Sequence, residues 1–337
     1  MPATRDPIAF FAFVSFFPQL VAGPIERAIH LLPQFQRDRS FDLAKAKDGM
    51  RQMLWGFFKK LVVADNCGLL SDRIYGYGEY GDVSGFTLFL AGVLFAFQVY
   101  GDFAGYSDIA IGTARLFGFE LMRNFAYPFF SRDIAELWRR WHISLTTWFK
   151  DYLYIPLGGS RGGLNMKIRN ALIVFTVSGF WHGADWTYVA WGALHGLFFV
   201  PLLLANRNRN HLDIVARGRL LPTWRECWQM FATFWLFCVA LIVFRSASIP
   251  HAIDHLHHMV TNAFWAPVEI LNADNLTILG IMIVLLVAEW IQRTREHTLE
   301  IAHLSTGWRW SIYAVVLIAI IYFGQYGDVR QFIYFQF

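Results

Sequence analysis

Charged residues are scarce in this sequence. Asp, Glu, Lys and Arg make up 16% of the 337 residues, whereas soluble domains average about 25%. Hydrophobic residues make up 56% of the chain, and the mean hydropathy is +0.37. A water-soluble globule of this composition would need an implausibly apolar exterior, so the sequence indicates a membrane protein. We expect an all-α, multi-pass fold in which residues 1–337 form one domain, since helices of about 20 residues span a bilayer.

The sequence has few cysteines and no recognisable signal peptide. Three cysteines without a CxxC pair (Cys67, Cys227 and Cys238) indicate neither a disulfide framework nor a zinc site. The N-terminus has no early basic region, and so it does not resemble a removable signal peptide. The net charge of +4 comes from Lys and Arg clusters between apolar stretches. That distribution favours loops facing anionic membrane lipids and gives no indication of a nucleic-acid partner.

Long uncharged windows predict roughly seven membrane elements. Proline at position 18 should break the first of them and make it short or re-entrant. The windows are Pro7–Ile25, Val83–Gly101, Asn170–Ala184, Trp186–Asn206, Cys227–Phe244, Asn275–Ala288 and Trp310–Gly327.

Two further regions mix basic with aromatic residues. Ala44–Leu70 combines five lysines and arginines with large apolar side chains, and Arg115–Arg169 is crowded with Trp, Arg and Tyr. Amphipathic segments of this kind lie at the membrane interface or enter it obliquely. We therefore expect interfacial helices and re-entrant loops in both regions.

Two histidines are the strongest candidate site residues. His182 ends an apolar span between Gly179 and Gly183, and an ionisable group at such a depth is a functional-site hypothesis by default. His142 follows Trp138 and Trp141 at helical spacing, so the three should share one helix face. A buried histidine bonded to a carbonyl, or an interfacial anchor, is the structural alternative in each case.

Other motifs have competing interpretations. The glycine-rich Tyr152–Gly163 segment is either a phosphate-holding loop or, more simply, a flexible basic loop, because it lacks a P-loop lysine. Asp102 and Asp108 follow a clean span, where they would relay protons, bind a cation or cap a helix end.

The spacing of other histidines is compatible with haem or metal binding. His182 and His195 are 13 apart, but the Gly183–Asp185 break argues against one continuous haem-binding helix. His251, His255 and His258 would share a helix face, yet they fall in a loop-like segment without nearby cysteine. We expect no metal at either place.

Four long segments in order resemble the membrane-bound O-acyltransferase family. They are FFPQLVAGPIER (16–27), YGDFAGYSDIAIG (100–112), ELWRRWHISLTTWFKDYLYIPLGG (136–159) and VSGFWHGADWTYVAWGALHG (177–196). The resemblance covers nearly the whole chain and is strongest to members that act in alginate and other polysaccharide acetylation and in teichoic acid D-alanylation.

The resemblance implies a helical bundle whose re-entrant segments surround a central channel in a bacterial inner membrane. It implies transfer of an acyl group, with acetyl expected, from a thioester such as acetyl-CoA towards an extracytoplasmic polysaccharide such as alginate. His182 matches the family's catalytic histidine and His142 a second polar site residue. Periplasmic acetylation proteins are the implied partners, and no tightly bound cofactor is implied.

Imidazole chemistry agrees with this expectation, because imidazole titrates near neutral pH and can remove a hydroxyl proton. We expect His182 to activate the acceptor hydroxyl and His142 to orient or polarise the acyl carbonyl. An ion or solute transporter and a non-catalytic scaffold for periplasmic partners are the competing hypotheses. The chain begins about fifteen residues before the first family segment, where relatives carry further helices, so an N-terminally truncated form is expected.

Overall fold

The computed structural model describes residues 5–77, 79–265, 272–327 and 332, and every regular element in these ranges is helical. Phe17–Gln19 forms a 3-10 turn, and Phe58–Ala64 and Lys150–Tyr154 are π-helical segments. The α-helices are α1 (Pro7–Val14), α2 (Ala28–Phe35), α3 (Leu43–Phe57), α4 (Asp65–Tyr75), α5 (Gly85–Leu116), α6 (Ile134–Arg140), α7 (Ile143–Phe149), α8 (Gly163–His182), α9 (Trp186–Leu204), α10 (Trp224–Arg245), α11 (Ile249–Thr261), α12 (Ala273–Ile291) and α13 (Thr306–Phe323).

Among the described helices, five are long and apolar enough to cross a membrane, namely α5, α9, α10, α12 and α13. The first predicted window is broken, as expected, because α1 ends at Val14 and Pro18 lies in a 3-10 turn. The window at 170–184 belongs to α8, whose first turns carry Lys167 and Arg169 and so lower its hydropathy.

The Ala44–Leu70 region, which the sequence predicts to lie at the membrane interface or to enter it obliquely, is helical throughout. Helix α3, the π-helical segment and α4 form one continuous run that packs along α5. Facing glycines allow the two backbones to approach closely. A Cβ atom added to Gly56 would lie 2.7 Å from the Gly105 carbonyl oxygen, and one added to Gly101 would lie 2.8 Å from that of Lys59.

This packing buries a group of charges that we call the Lys–Asp cluster: Lys59, Lys60, Asp65, Asp102 and Asp108. The Lys59 ammonium lies 2.5 Å from Asp108, and that of Lys60 lies 2.7 Å from Asp102. Lys60 also contacts Asp65 at 2.8 Å. Helix-end capping by Asp102 or Asp108 is therefore wrong, because α5 continues to Leu116, and both carboxylates pair with lysines inside the bundle.

The long helices place their connections at two ends. At the end that we call the basic end, Arg115 at the close of α5 contacts Asp48 of α3, and Arg293 after α12 donates to the Ala216 carbonyl before α10. At the opposite end, Arg245 of α10 pairs with Asp72 of α4. Helix α8 ends and α9 begins at this opposite end, where Phe244 contacts both His182 and Tyr188.

Replacement of Lys60 should destabilise the whole bundle. Lys60→Met leaves two buried carboxylates without their shared cation, and breaking a buried pair in this way costs about 3–5 kcal/mol. Thermal unfolding of the detergent-purified protein, followed by tryptophan fluorescence, should show a large drop in Tm. Lys150→Met, at an exposed lysine, is the matched control, and an equal Tm for the two variants would contradict the argument.

Candidate active site

The two predicted histidines meet at one cavity. Although they lie 40 positions apart in the sequence, both contribute to a space of about 40 Å³ that is lined by residues of six helices and by the turn at Trp141 and His142. That volume is close to the share of one water molecule. The cavity is lined by Val99, Phe103, Trp138, Trp141, His142, Leu145, Ser178, His182, Trp191, Phe237, Leu241 and Phe244.

His142 does not continue the helix of Trp138, contrary to the sequence-based expectation of one shared helix face. Helix α6 ends at Arg140, Trp141 is extended, and His142 has left-handed backbone angles (φ 42°, ψ 56°) before α7 begins. Such angles are uncommon for a residue with a Cβ atom. The turn still brings Trp138, Trp141 and His142 to the same cavity.

Asn124 holds this turn in place. Its backbone carbonyl accepts from the Ile143 N–H at 2.9 Å, and its side-chain Oδ1 accepts from the Ser144 N–H and hydroxyl at 3.3 and 2.9 Å. The Asn124 amide group donates in turn to the Ser107 hydroxyl of α5 at 3.1 Å. The site histidine is thereby fixed to the central helix.

These contacts define the tautomer of His142. Its Nδ1 lies 3.0 Å from Asn124 Oδ1. A backbone N–H can only donate, so the Asn124 atom facing Ser144 must be the amide oxygen. Because Nδ1 faces an acceptor, it carries the ring proton, and Nε2 of the neutral ring keeps its lone pair.

Two arginines, Arg132 before α6 and Arg139 within it, attach the His142 turn to the 205–223 connection. Arg139 donates to the carbonyls of Asn208 and His211 at 2.9 and 2.8 Å, and Arg132 pairs with Asp213 at 2.9 Å. The hydrogen bond from Arg132 holds the pKa of Asp213 below its usual value. Arg139 thus contacts the connection, whereas Trp138 and Trp141 line the cavity.

His182 is the last residue of α8 and is only partly buried. The chain then breaks, and Asp185 caps α9 by accepting from the Thr187 N–H at 2.9 Å. Aromatic rings surround the imidazole, with the Trp191 centroid at 5.1 Å and that of Phe244 at 5.3 Å. The break confirms that His182 and His195 belong to two helices rather than to one haem-binding helix.

Trp191 is a site residue that the sequence analysis did not single out. Its side chain is 5% exposed and lines the cavity, and its indole Nε1 is buried without a hydrogen-bond partner among the described residues. An unpaired buried donor is uncommon in proteins. By contrast, the Trp138 indole donates to His195 at 3.3 Å. Only the geometry distinguishes these two tryptophans.

The remaining motifs have structural partners. In the glycine-rich segment, the N–H groups of Gly158 and Gly159 already donate to carbonyls in tight turns, and Asn170 closes the loop by donating to the Gly159 carbonyl at 2.9 Å. These N–H groups are therefore not aimed at a phosphate. The expectation of a loop at His255 is wrong, because this residue lies on helix α11. Its ring contacts the Leu88 carbonyl at 3.0 Å.

The fold and the site define a class: a helical, multi-pass membrane protein with two histidines at a buried aromatic cavity. The profile of the membrane-bound O-acyltransferase (MBOAT) family matches residues 3–245. The chain belongs to this family, which confirms the resemblance in its four sequence segments.

Named relatives support the assignment. The chain is 38% identical over 287 residues to a probable alginate O-acetylase AlgI of Azotobacter vinelandii. The aligned region covers 85% of this chain and 54% of the relative. It is 36% identical over 268 residues to a peptidoglycan O-acetyltransferase of Helicobacter pylori (76% and 49%) and 31% identical over 253 residues to a teichoic acid D-alanyltransferase of Streptococcus thermophilus (70% and 60%). The chain spans about half the length of the curated relatives it matches most extensively.

The tautomer of His142 can be measured directly. With ¹⁵N-histidine labelling, the signals lost in His142→Gln identify this ring, and we expect a protonated Nδ1 and an unprotonated Nε2. Asn124→Leu removes the acceptor at Nδ1 and should shift the ring towards the Nε2–H form. Asn210→Leu, at an exposed position, should leave the signals unchanged, and a parent spectrum with protonated Nε2 would refute the assignment.

Proposed function

We propose that this chain is a membrane O-acyltransferase of the bacterial inner membrane, and that it passes acetyl groups from a cytoplasmic thioester to hydroxyls of an extracytoplasmic polysaccharide. The observation that carries the proposal is the meeting of His142 and His182 at one water-poor aromatic cavity in a chain of this family. Exclusion of water protects a thioester from hydrolysis.

In the proposed reaction, His182 is the general base. It takes the proton of the acceptor hydroxyl while the oxygen forms a bond to the acyl carbon. The carbon–sulfur bond then breaks, and the thiolate leaves with the proton that His182 returns. The acceptor is bulky and approaches from the partly exposed side of His182, so that only its hydroxyl and the acyl carbonyl meet at the aromatic cavity.

We assign no hydrogen bond with the acyl carbonyl to His142. A neutral ring that is protonated at Nδ1 can accept a hydrogen bond at Nε2 but cannot donate one there. The tautomer held by Asn124 therefore argues against orientation or polarisation of the acyl carbonyl by the His142 ring. The single proton of the acceptor hydroxyl goes to His182, so we propose that His142 serves as a polar wall of the cavity. A separate donor is needed for the developing oxyanion.

Trp191 is the donor that we propose for the carbonyl oxygen. Its indole N–H is buried at the cavity and has no partner among the described residues. A donor that is already desolvated and fixed by packing stabilises charge that develops in the transition state without reorganisation. The contacts of Trp191 with His182 and with His195, each 5.1 Å between ring centroids, hold the ring in place.

The two ends of the bundle fit transfer across the membrane. At the basic end, the connections 36–42, 205–223 and 292–305 together carry eight arginines, whereas 79–84, 183–185 and 246–248 at the opposite end contain neither Lys nor Arg. By the positive-inside rule, we place the basic end in the cytoplasm. Its charge suits a donor with phosphates, such as acetyl-CoA or an acyl carrier protein. His182 then faces the side of the polysaccharide and of periplasmic acetylation proteins.

The first test is polymer-bound acetyl content in cells that lack their own acetylation protein. The chain should restore acetylation, and His182→Ala at equal membrane abundance should reduce it by about 10²-fold or more, because general-base catalysis contributes about 10²–10⁴-fold. His303→Ala, at an exposed histidine, is the matched control.

The same set is made in a version extended by the helices that precede the matched region in a relative. If only the extended version is active, the catalytic residues are assigned correctly and the added segment is needed for activity. Full acetylation by His182→Ala in an active version would refute the assigned base, and solute flux without an acyl donor would favour a transporter.

Trp191→Phe tests the carbonyl donor. This change removes the indole N–H and keeps an aromatic ring, so kcat should fall by about 10²–10³-fold, as for loss of an oxyanion-hole donor, with little change in KM. Trp186→Phe, in the same helix but 75% exposed, is the control. Unchanged kcat for Trp191→Phe would exclude the indole as the donor.

A further inference from the structure

An apolar groove lies between α3 and α13, away from the histidine cavity. Its volume is about 640 Å³, and its walls include Met50 and Leu54 of α3 and Trp310 and Leu317 of α13. Helix α13 leaves most of its surface uncovered, since only 11% of its apolar window is buried. The groove therefore opens sideways along a helix that is suited to cross the bilayer.

The groove has a polar and an apolar end. Helices α3 and α13 run in the same direction, because Asp48 of α3 contacts His297 in the connection before α13, and Arg51 bonds Tyr313 further along both helices. Lys47 and Arg309 therefore lie at one end of the groove and Leu54 and Leu317 at the other. At 1.5 Å per residue, the apolar end is about 10 Å deeper along α3 and about 12 Å deeper along α13. Trp308 and Trp310 are exposed beside the cations, at the level where tryptophan favours the membrane interface.

The cations at the polar end are not neutralised by carboxylates. Within the described part of the chain, Lys47 has no ion pair, and Arg309 contacts only the neutral Thr306 hydroxyl, at 3.0 Å. Arg51 donates to the Tyr313 hydroxyl at 2.7 Å and lies 3.8 Å from Asp48. Asp48 is shared with Arg115 at 2.7 Å. The end of the groove therefore carries net positive charge.

We propose that this groove binds one anionic phospholipid. Lys47 and Arg309 contact its headgroup phosphate, and one acyl chain lies along Met50, Leu54 and Leu317. The arrangement of a cationic rim, interfacial tryptophans and an apolar floor matches the order of chemical groups along a phospholipid. A zwitterionic lipid offers the same chains but no net charge to the rim, so charge complementarity selects the anionic class.

The test measures lipid retention by the full chain. The detergent-purified protein is incubated with dioleoyl phosphatidylglycerol or with dioleoyl phosphatidylcholine, and bound lipid is counted by native mass spectrometry. One phosphatidylglycerol should be retained in preference to phosphatidylcholine. Two cations at about 1 kcal/mol each correspond to about 30-fold in affinity, so Lys47→Gln with Arg309→Gln should lose about that factor.

Two further variants separate charge from shape. Lys150→Gln with Arg225→Gln removes two exposed cations elsewhere at the basic end and should leave retention unchanged. Leu54→Trp fills the groove without a change in charge and should reduce retention of both lipids. Equal retention of the two lipids by the parent, equal loss in both charge variants, or occupation of the groove by a second copy of the chain as a stable dimer would overturn the proposal.

Discussion

The buried pairing of Lys59 and Lys60 with Asp102 and Asp108 is the constraint on which the rest of the structure depends. An unpaired ion of either sign would be strongly unfavourable at this depth, so the run from α3 to α4 must lie in one register against α5. Small residues make that register sterically possible, because backbone atoms of Gly56 and Gly105 approach within contact distance. Helix α5, 78% buried over its apolar window, thereby becomes the axis on which the other elements pack.

The catalytic geometry that we propose is an extension of this axis. Ser107 lies one position before Asp108, and its hydroxyl accepts from the Asn124 amide group. Asn124 in turn fixes the left-handed turn at His142, while Phe103 packs edge-on against the imidazole at 4.5 Å between centroids. The same helix therefore carries the ion pairs that set its position and the contacts that set the ring. His182 reaches the cavity from an independent hairpin of α8 and α9, so the meeting of the two histidines depends on the packing of α9 against α10 and of α10 against α5.

Much of this fold could be predicted from the sequence, because an apolar run of about 20 residues has few alternatives in a bilayer. The two histidines also stood out, since ionisable groups at apolar span ends are rare. The lysine partners of Asp102 and Asp108 could not be predicted, because they lie more than 40 positions away in the sequence. A lysine among aromatic residues indicates a membrane interface when its partner is unknown. The backbone at His142 depends on hydrogen bonds that Ile143 and Ser144 donate to Asn124, and no local pattern predicts them.

The unpaired indole of Trp191 gives the site a thermodynamic asymmetry. A buried donor without an acceptor costs about 1–3 kcal/mol, and close packing against the rings of His182, His195 and Phe244 keeps it from turning towards another acceptor. A carbonyl oxygen that enters the cavity regains this free energy, and an oxygen with developing negative charge regains more, because charge-assisted hydrogen bonds are about twice as strong as neutral ones. The folded protein thus stores an unmade hydrogen bond, and in the reaction that we propose the transition state of acyl transfer is the group that completes it best.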